Sequence, residues 1–295
     1  MPDARPIGLF DSGVGGLTVL REVLRRLPTE STIYLGDNAR APYGPREDAE
    51  VIRYASECLD HLATHDVKAI VVACNTASAV ALPELRKRAR VPVLGVVRPG
   101  ATAAALATRS GRVGVIATQA TVRSHAYLAA ITDEDPSVMV HEHATPELVP
   151  LVESGRTSGP DVLAVVRRAL LALLPADGRG PVDGDADRLG VDTLLLGCTH
   201  YPLLADVIST VVGPAVAVID SASATASWLA GLLEVHGSGA PEGSVATHLQ
   251  LTTGDVVAFR RTAAGLFGEE LANVQAVALP SLSHARAAVA VATAS

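Results

Sequence analysis

Aromatic residues are scarce in this chain: three Phe, five Tyr and one Trp, 3 % of 295 residues. A core must therefore be aliphatic and alanine-rich, and a hydrophobic content of 48 % supplies enough of it. Cysteine is scarce as well. Three cysteines cannot all pair with one another, and in a reduced setting any function they have is thiol chemistry rather than stapling. No uninterrupted apolar run approaches the roughly 20 residues of a membrane span. The alanine- and valine-rich residues 287–295 are too few to make one. Residues 1–7 carry charges and two prolines but no apolar stretch, so no secretory leader is expected and a reduced, cytoplasmic setting is the default. There is no basic stripe interleaved with aromatics, which argues against nucleic acid as the main partner. The net charge of −7 describes a mildly acidic protein. It does not forbid an anionic ligand, because backbone N–H groups can hold one locally.

What is present is alternation. Residues 6–10, 32–35, 69–73 and 92–97 read as short buried strands, and residues 17–27, 47–65 and 77–89 as helices. On 47–65 the apolar stripe Val51, Ile52, Ala55, Cys58, Leu59 and Leu62 fits a period of 3.6. The pattern then restarts, with strands at 112–117, 137–141 and 192–197 and helices from about 122 and over 161–174. Residues 175–190, rich in Gly, Pro and Asp, read as a flexible surface loop. Strands apolar on both faces suit parallel sheets covered by helices, which makes the class α/β.

Two segments share a design. I-V-V-A-C-N-T (residues 70–76) and L-L-L-G-C-T-H (194–200) each run a strand out into a cysteine and small polar residues. Two related α/β halves would look like this, each offering one thiol where open sheets bind ligands. A free thiol has a pKa of about 8.5, so a modest shift makes it a usable acid or base. Cys74 and Cys198 are therefore the candidates, whereas Cys58 lies on an apolar stripe and reads as a small core hydrophobe. Cys198 with His200 lacks the further ligands a metal needs, so no metal is expected. His141 and His143 form an H-x-H pair facing one side of a strand and stay unassigned.

F-D-S-G-V-G-G (residues 10–16) lies between a strand and a helix. Its glycines allow close backbone approach to a ligand. It is not a dinucleotide fingerprint, since Thr18 stands where the third glycine would be, and it lacks the lysine of a P-loop. Asp11 would repel phosphate and attract an ammonium group, which favours a zwitterion. A tight turn with a capping Asp is the plainer alternative. G-D-N-A-R-A-P-Y-G-P (36–45) is a loop whose Pro and Gly fix its course, and it could wall a site.

Together these motifs resemble the glutamate racemase family of the aspartate/glutamate racemase superfamily. The carrying segments are I-G-L-F-D-S-G-V-G-G-L-T-V-L (7–20), Y-L-G-D-N-A-R-A-P-Y-G (34–44), V-V-A-C-N-T-A-S-A (71–79) and L-L-L-G-C-T-H-Y-P-L-L (194–204), in the family's order. Weaker echoes occur at Thr118 and Thr121, at 148–153 and at 220–222. The resemblance implies two facing α/β domains with mostly parallel sheets and the site in the cleft between them. It suggests 1–97 plus 223–295 for the first domain and 98–222 for the second. It implies a cofactor-independent interconversion of L- and D-glutamate, supplying D-glutamate for peptidoglycan. Cys74 would deprotonate the D-isomer and Cys198 the L-isomer. Asp11 matches a carboxylate near the first thiol, His200 an imidazole near the second, and Glu153 a carboxylate that orients that histidine. Asp11, Ser12, Tyr43, Gly44, Asn75, Thr76, Thr118, Thr199 and His200 match substrate-holding segments. A small-molecule partner, glutamate, and a homodimer are implied as well. Some relatives also inhibit DNA gyrase, but nothing in these residues points there. A sibling racemase acting on aspartate or another amino acid is the alternative. A redox dithiol enzyme is disfavoured, because the two thiols share no C-x-x-C. The chain departs from the family at Arg98, expected to make a hinge-region salt bridge, at Thr145-Pro146 in place of a Cys-Pro pair, and in the length of its 175–190 loop and C-terminal tail.

Overall fold

The computed structural model describes residues 1–171, 173, 190–268 and 273–282. The first part of the chain runs through strand β1 (Ile7–Asp11), helix α1 (Leu17–Arg26), β2 (Thr32–Gly36), α2 (Asp48–Ala63), β3 (Ala69–Val72), the short helices α3 (Asn75–Val80) and α4 (Leu82–Arg88), and β4 (Val93–Gly95). Helix α5 (Val97–Ala107) leads to β5 (Arg112–Ala117), α6 (Gln119–Arg123), α7 (Ala126–Glu134), β6 (Met139–Ala144), α8 (Leu148–Glu153) and α9 (Pro160–Leu170). Then come β7 (Thr193–Gly197), a 3-10 turn (Tyr201–Leu204), α10 (Ala205–Val212) and β8 (Ala217–Asp220). Helix α11 (Ser221–His236) leads back to β9 (His248–Thr252), α12 (Val256–Phe267) and β10 (Val274–Ala276).

These strands form two sheets, ordered β10-β9-β2-β1-β3-β4 and β6-β5-β7-β8, and every pairing is parallel. In each sheet the chain moves from a central strand (β1 or β5) to one side, then crosses to the other (β3 or β7). That reversal opens a crevice at the carboxyl ends of β1 and β3, and of β5 and β7. Open parallel sheets bind ligands at such switch points.

The alternation of side chains explains the layers. Ile7, Leu9, Ala69 and Val71 face one core of the first sheet, and Phe10, Ile70 and Val72 the other. In the second sheet Val113, Val115 and Leu195 face one core, and Ile116, Leu194 and Leu196 the other. Buried on both faces, such strands are apolar throughout, as parallel sheets require. All five tyrosines are buried. Each hydroxyl then needs a partner, and four of the five find theirs in segments around the candidate site: Tyr34 on Gly13 O, Tyr43 on Asp37, Tyr127 on Asn75 and Ser221, and Tyr201 on Thr145.

Several expected elements are corrected. The helix over 77–89 is two, α3 and α4, because Pro83 at the start of α4 has no N–H to continue the first. The strand over 92–97 is only β4, and Val97 already belongs to α5, a helix the sequence reading missed. Pro99 and Gly100 suggest a loop there, but Pro is tolerated in a first helical turn. Gly100 is needed because a Cβ would lie 2.4 Å from Ser221 Oγ. The helix from about 122 begins at Gln119, with Thr118 capping it. The expected loop 175–190 and the tail 287–295 lie almost wholly outside the described residues. Among the described residues no helix is long and apolar enough to cross a membrane.

Candidate active site

The first thiol stands where β3 ends. Cys74 has extended backbone angles and caps α3, its Sγ accepting from Ala77 N at 3.5 Å. Asp11 closes the neighbouring strand β1, is wholly buried, and accepts from Gly13 N at 2.9 Å. Burial, and then the Asp11 carboxylate, push the Cys74 thiol well above its ordinary value, while the N–H groups of Ala77 and Ser12 pull it back. Without a ligand, Cys74 holds its proton at neutral pH.

The second thiol stands at the matching place in the second sheet. Cys198 follows β7, with His200 Nδ1 3.8 Å from its Sγ. His200 Nε2 lies 3.1 Å from Glu153 Oε1, at the end of α8. Burial lowers the imidazole, but the hydrogen bonds to Cys198 and Glu153 outweigh it and bring His200 up to about 10. The charged form of His200 is thus favoured, the more so when Cys198 is a thiolate. The two thiols therefore have opposite electrical neighbours, a carboxylate at Cys74 and an imidazolium at Cys198.

The two halves touch at these same residues. Thr199 Oγ1 donates to Asp11 Oδ1 at 3.4 Å, and Thr18 Oγ1 donates to Thr199 O at 3.1 Å. A Cβ on Gly15 would lie 2.4 Å from Thr199 Oγ1 and 2.6 Å from His200 Cε1. A glycine there is what lets the second thiol's turn approach so closely. On the other side, Thr76, Thr118 and Thr121 bring three hydroxyls together: Thr76 to Thr118 at 2.9 Å, Thr118 to Thr121 at 3.0 Å and Thr121 to Thr76 at 3.3 Å. Gly44 presses on them, since its Cβ would lie 2.8 Å from Thr118 Cβ, and Gly44 O accepts from Ala120 N at 3.0 Å. Asn75 Nδ2 donates to Tyr127 Oη at 2.6 Å.

The 36–45 loop is held from behind. Asp37 accepts from Arg40 Nε at 2.7 Å, from Thr253 Oγ1 at 2.8 Å and from the Tyr43 hydroxyl. Arg40 Nη1 also donates to Glu57 and to Ser281. Tyr43 thus spends its hydroxyl on Asp37, and the part of this loop that meets the second half is Gly44.

The structure gathers the sequence candidates Asp11, Ser12, Gly44, Cys74, Asn75, Thr76, Thr118, Glu153, Cys198, Thr199 and His200 around facing strand ends, with Tyr43 behind them. Arg98 does make salt bridges, to Asp133 and Glu134 on α7, at an exposed face of the second half. His141 and His143 stand half-exposed on the edge strand β6. Thr145 is buried and shares hydrogen bonds with the Tyr201 hydroxyl. The sequence reading missed the tight contact at Gly15 and the place of Tyr127. Neither could be seen before the two halves were brought together.

Comparison with known proteins gives the family and fold of the chain. The family model of the Asp/Glu/Hydantoin racemases matches residues 7–229. A glutamate racemase of Exiguobacterium sibiricum is 47 % identical over 88 % of this chain and 91 % of its own length. Among solved structures, a glutamate racemase of Bacillus anthracis superposes with a TM-score of 0.85 at 41 % identity, covering 94 % of this chain and 98 % of the other. One from Francisella tularensis, solved with D-glutamate, does so with a TM-score of 0.84 at 32 % identity, over 95 % and 99 %. The chain belongs to the Asp/Glu/Hydantoin racemase family, and within it to the glutamate racemases.

Proposed function

We propose that this chain interconverts L- and D-glutamate without a cofactor, using Cys74 and Cys198 as the two proton-transfer groups. The observation that carries the reading is the placement of one thiol at the switch point of each sheet, with Asp11 and Thr199 joining the two. Inverting an α-carbon removes its proton from one face and returns one to the other. Two opposed groups of the same kind can each serve as base in one direction and acid in the other. Cys198 takes the proton of L-glutamate and Cys74 that of D-glutamate.

The electrical asymmetry gives the steps a direction. Cys74, which holds its proton in the free protein, is ready as the acid. His200, whose charged form is favoured by Cys198 and Glu153, lies 3.8 Å from the Cys198 sulfur and stabilises its anionic form. This resting form suits the L-to-D direction. For the reverse, a bound α-ammonium beside Asp11 offsets the anionic surroundings that keep Cys74 protonated. The carbanion between them needs preorganised donors. The N–H groups at the start of α3, Ser12, Asn75 and the Thr76–Thr118–Thr121 hydroxyls are in position to supply them and to hold the carboxylates.

The division into domains of 1–97 plus 223–295 and 98–222 follows the two sheets in this reading. A homodimer and a role supplying D-glutamate for the cell wall belong to it too. Light scattering tests the dimer, and a monomeric mass would reject it. The substrate is tested by following optical rotation of L-glutamate and of L-aspartate with purified protein and chelator. Glutamate is expected to racemise far faster. Aspartate ahead of glutamate would overturn the assignment in favour of a sibling racemase.

A further inference from the structure

Tyr127, fully buried in the first turn of α7, touches the segments of both thiols. Its ring packs on Gly197, the residue before Cys198. A Cβ on Gly197 would lie 3.0 Å from Tyr127 Cε2 and 2.9 Å from Ile116 O. Its hydroxyl accepts from Asn75, the residue after Cys74, at 2.6 Å. The same hydroxyl pairs with Ser221 Oγ at 3.0 Å, where α11 starts the return to the first sheet. The outward crossing passes the same point, because Gly100 of α5 has room for no side chain against Ser221. One side chain thus meets both cysteine turns and lies at the junction of both crossing helices.

The backbone is bent to put it there. Between α6 and α7, His125 adopts φ 52 and ψ 24, a left-handed conformation that residues other than glycine seldom hold. His125 Nδ1 is anchored on Glu142 Oε2 at 2.7 Å. The Ser124 hydroxyl donates to Thr121 O at 2.6 Å and accepts from Ala126 N at 3.3 Å. Burial pushes the Tyr127 phenol up to about 12, so it stays neutral and able to donate to Ser221 while it accepts from Asn75.

We propose that Tyr127 is a positioning residue that sets the spacing between Cys74 and Cys198. Its ring fixes the Gly197–Cys198 turn, and its hydroxyl fixes the Cys74–Asn75 turn and ties both to α11. The proposal rests on the racemase reading above. A reaction that moves a proton on each face of one carbon tolerates little drift in that spacing, since a misplacement of about 1 Å can cost about a hundredfold in rate.

The test compares the parent with Tyr127→Phe, Ser221→Ala, Asn75→Ala and the Asn75→Ala/Tyr127→Phe double variant. Two readouts are taken: kcat for glutamate in each direction, and the rate at which iodoacetamide modifies Cys74 and Cys198 in substrate-free protein, mapped by peptide mass. Tyr127→Phe keeps the ring and loses the hydroxyl link. It is expected to lower kcat about tenfold or more, and to speed alkylation of both thiols by about threefold as the halves loosen. On the Asn75→Ala background, Tyr127→Phe is expected to lower kcat by less than it does in the parent, because the Asn75 link is already broken and only the Ser221 link remains to be lost. Parent-like kcat and alkylation in Tyr127→Phe, or losses that multiply in the double variant, would overturn the proposal. Should Tyr127→Phe fail to fold, Ser221→Ala decides: faster alkylation of both thiols supports the proposal and unchanged rates reject it. A parent inert on glutamate would reject the racemase reading, while the alkylation rates would still judge Tyr127.

Discussion

At the scale of single residues, the site is defined by what stands beside each sulfur. His200 is buried, yet Cys198 and Glu153 outweigh the burial that disfavours its charge and bring its pKa up to about 10. Its raised value makes it a stabilising group on the acid side. The contribution is full below the ordinary histidine value of 6.5 and is lost as pH rises through about 10. Unfolding midpoints measured from pH 6 to 10 should therefore show the parent ahead of His200→Gln most at the acid end, with the gap closing as pH rises. A constant gap would mean that the charge of His200 is not what matters. Glu153→Gln should lower the His200 titration seen by NMR. Gly15 gives a steric prediction. Its Cβ would overlap Thr199 Oγ1 and the His200 ring, so Gly15→Ala should cost about 1–3 kcal/mol of stability and most of the racemisation rate. Parent-like kinetics would show that the two turns need not be so close. The placement of Cys74 and Cys198 at strand ends was legible in the sequence because cysteine is rare here and both thiols follow apolar strands. The reason for Gly15 was not, since its neighbours Thr199 and His200 are nearly two hundred positions away and meet it only in the folded chain.

At the scale of elements, the first sheet is clamped at its amino end by one buried pair. Lys68, just before β3, has a side chain only 1 % exposed and lies 2.5 Å from Glu30 Oε2. It donates to Asp3 O at 2.7 Å and Ser238 O at 2.9 Å, while Glu30 Oε1 accepts from Ala240 N at 2.7 Å. The pair joins the amino terminus, the approach to β2 and the segment after α11. Removing one partner leaves the other charge buried alone. Lys68→Met should cost about 3–5 kcal/mol in denaturant unfolding, and adding Glu30→Met should recover much of it. A loss below about 1 kcal/mol for Lys68→Met would place the pair with exposed salt bridges. Strands and amphipathic helices were readable from periodicity, as α2 shows with Val51, Ala55, Cys58, Leu59 and Leu62 all buried. Helix α5 was not, because Pro99 and Gly100 carry the local signal of a loop. The glycine answers instead to Ser221, far along the chain. The break between α3 and α4 is marked by Pro83 near the start of α4, which has no N–H to continue the preceding helix.

At the scale of the whole molecule, two parallel sheets of like construction are joined through α5 and α11, with α11 packing on both α1 and α5. Each sheet offers a thiol at its own switch point, and several contacts between halves run through the residues beside those thiols, with Arg123 on Asp48 adding another farther out. The repeated strand–cysteine pattern made this pairing of halves readable before any coordinates. The contacts that set their spacing, Thr199 on Asp11 and Tyr127 on Asn75, depend on how the halves face each other. No local pattern encodes that. The central claim is that both thiols move protons on one carbon. Its most direct test is incubation of L-glutamate with the protein in D₂O, with chelator and no added cofactor, beside Cys74→Ser and Cys198→Ser. Optical rotation and α-proton NMR are followed together. The account predicts racemisation with α-deuteration in the parent and loss of racemisation in both variants, and full activity in either variant would contradict it.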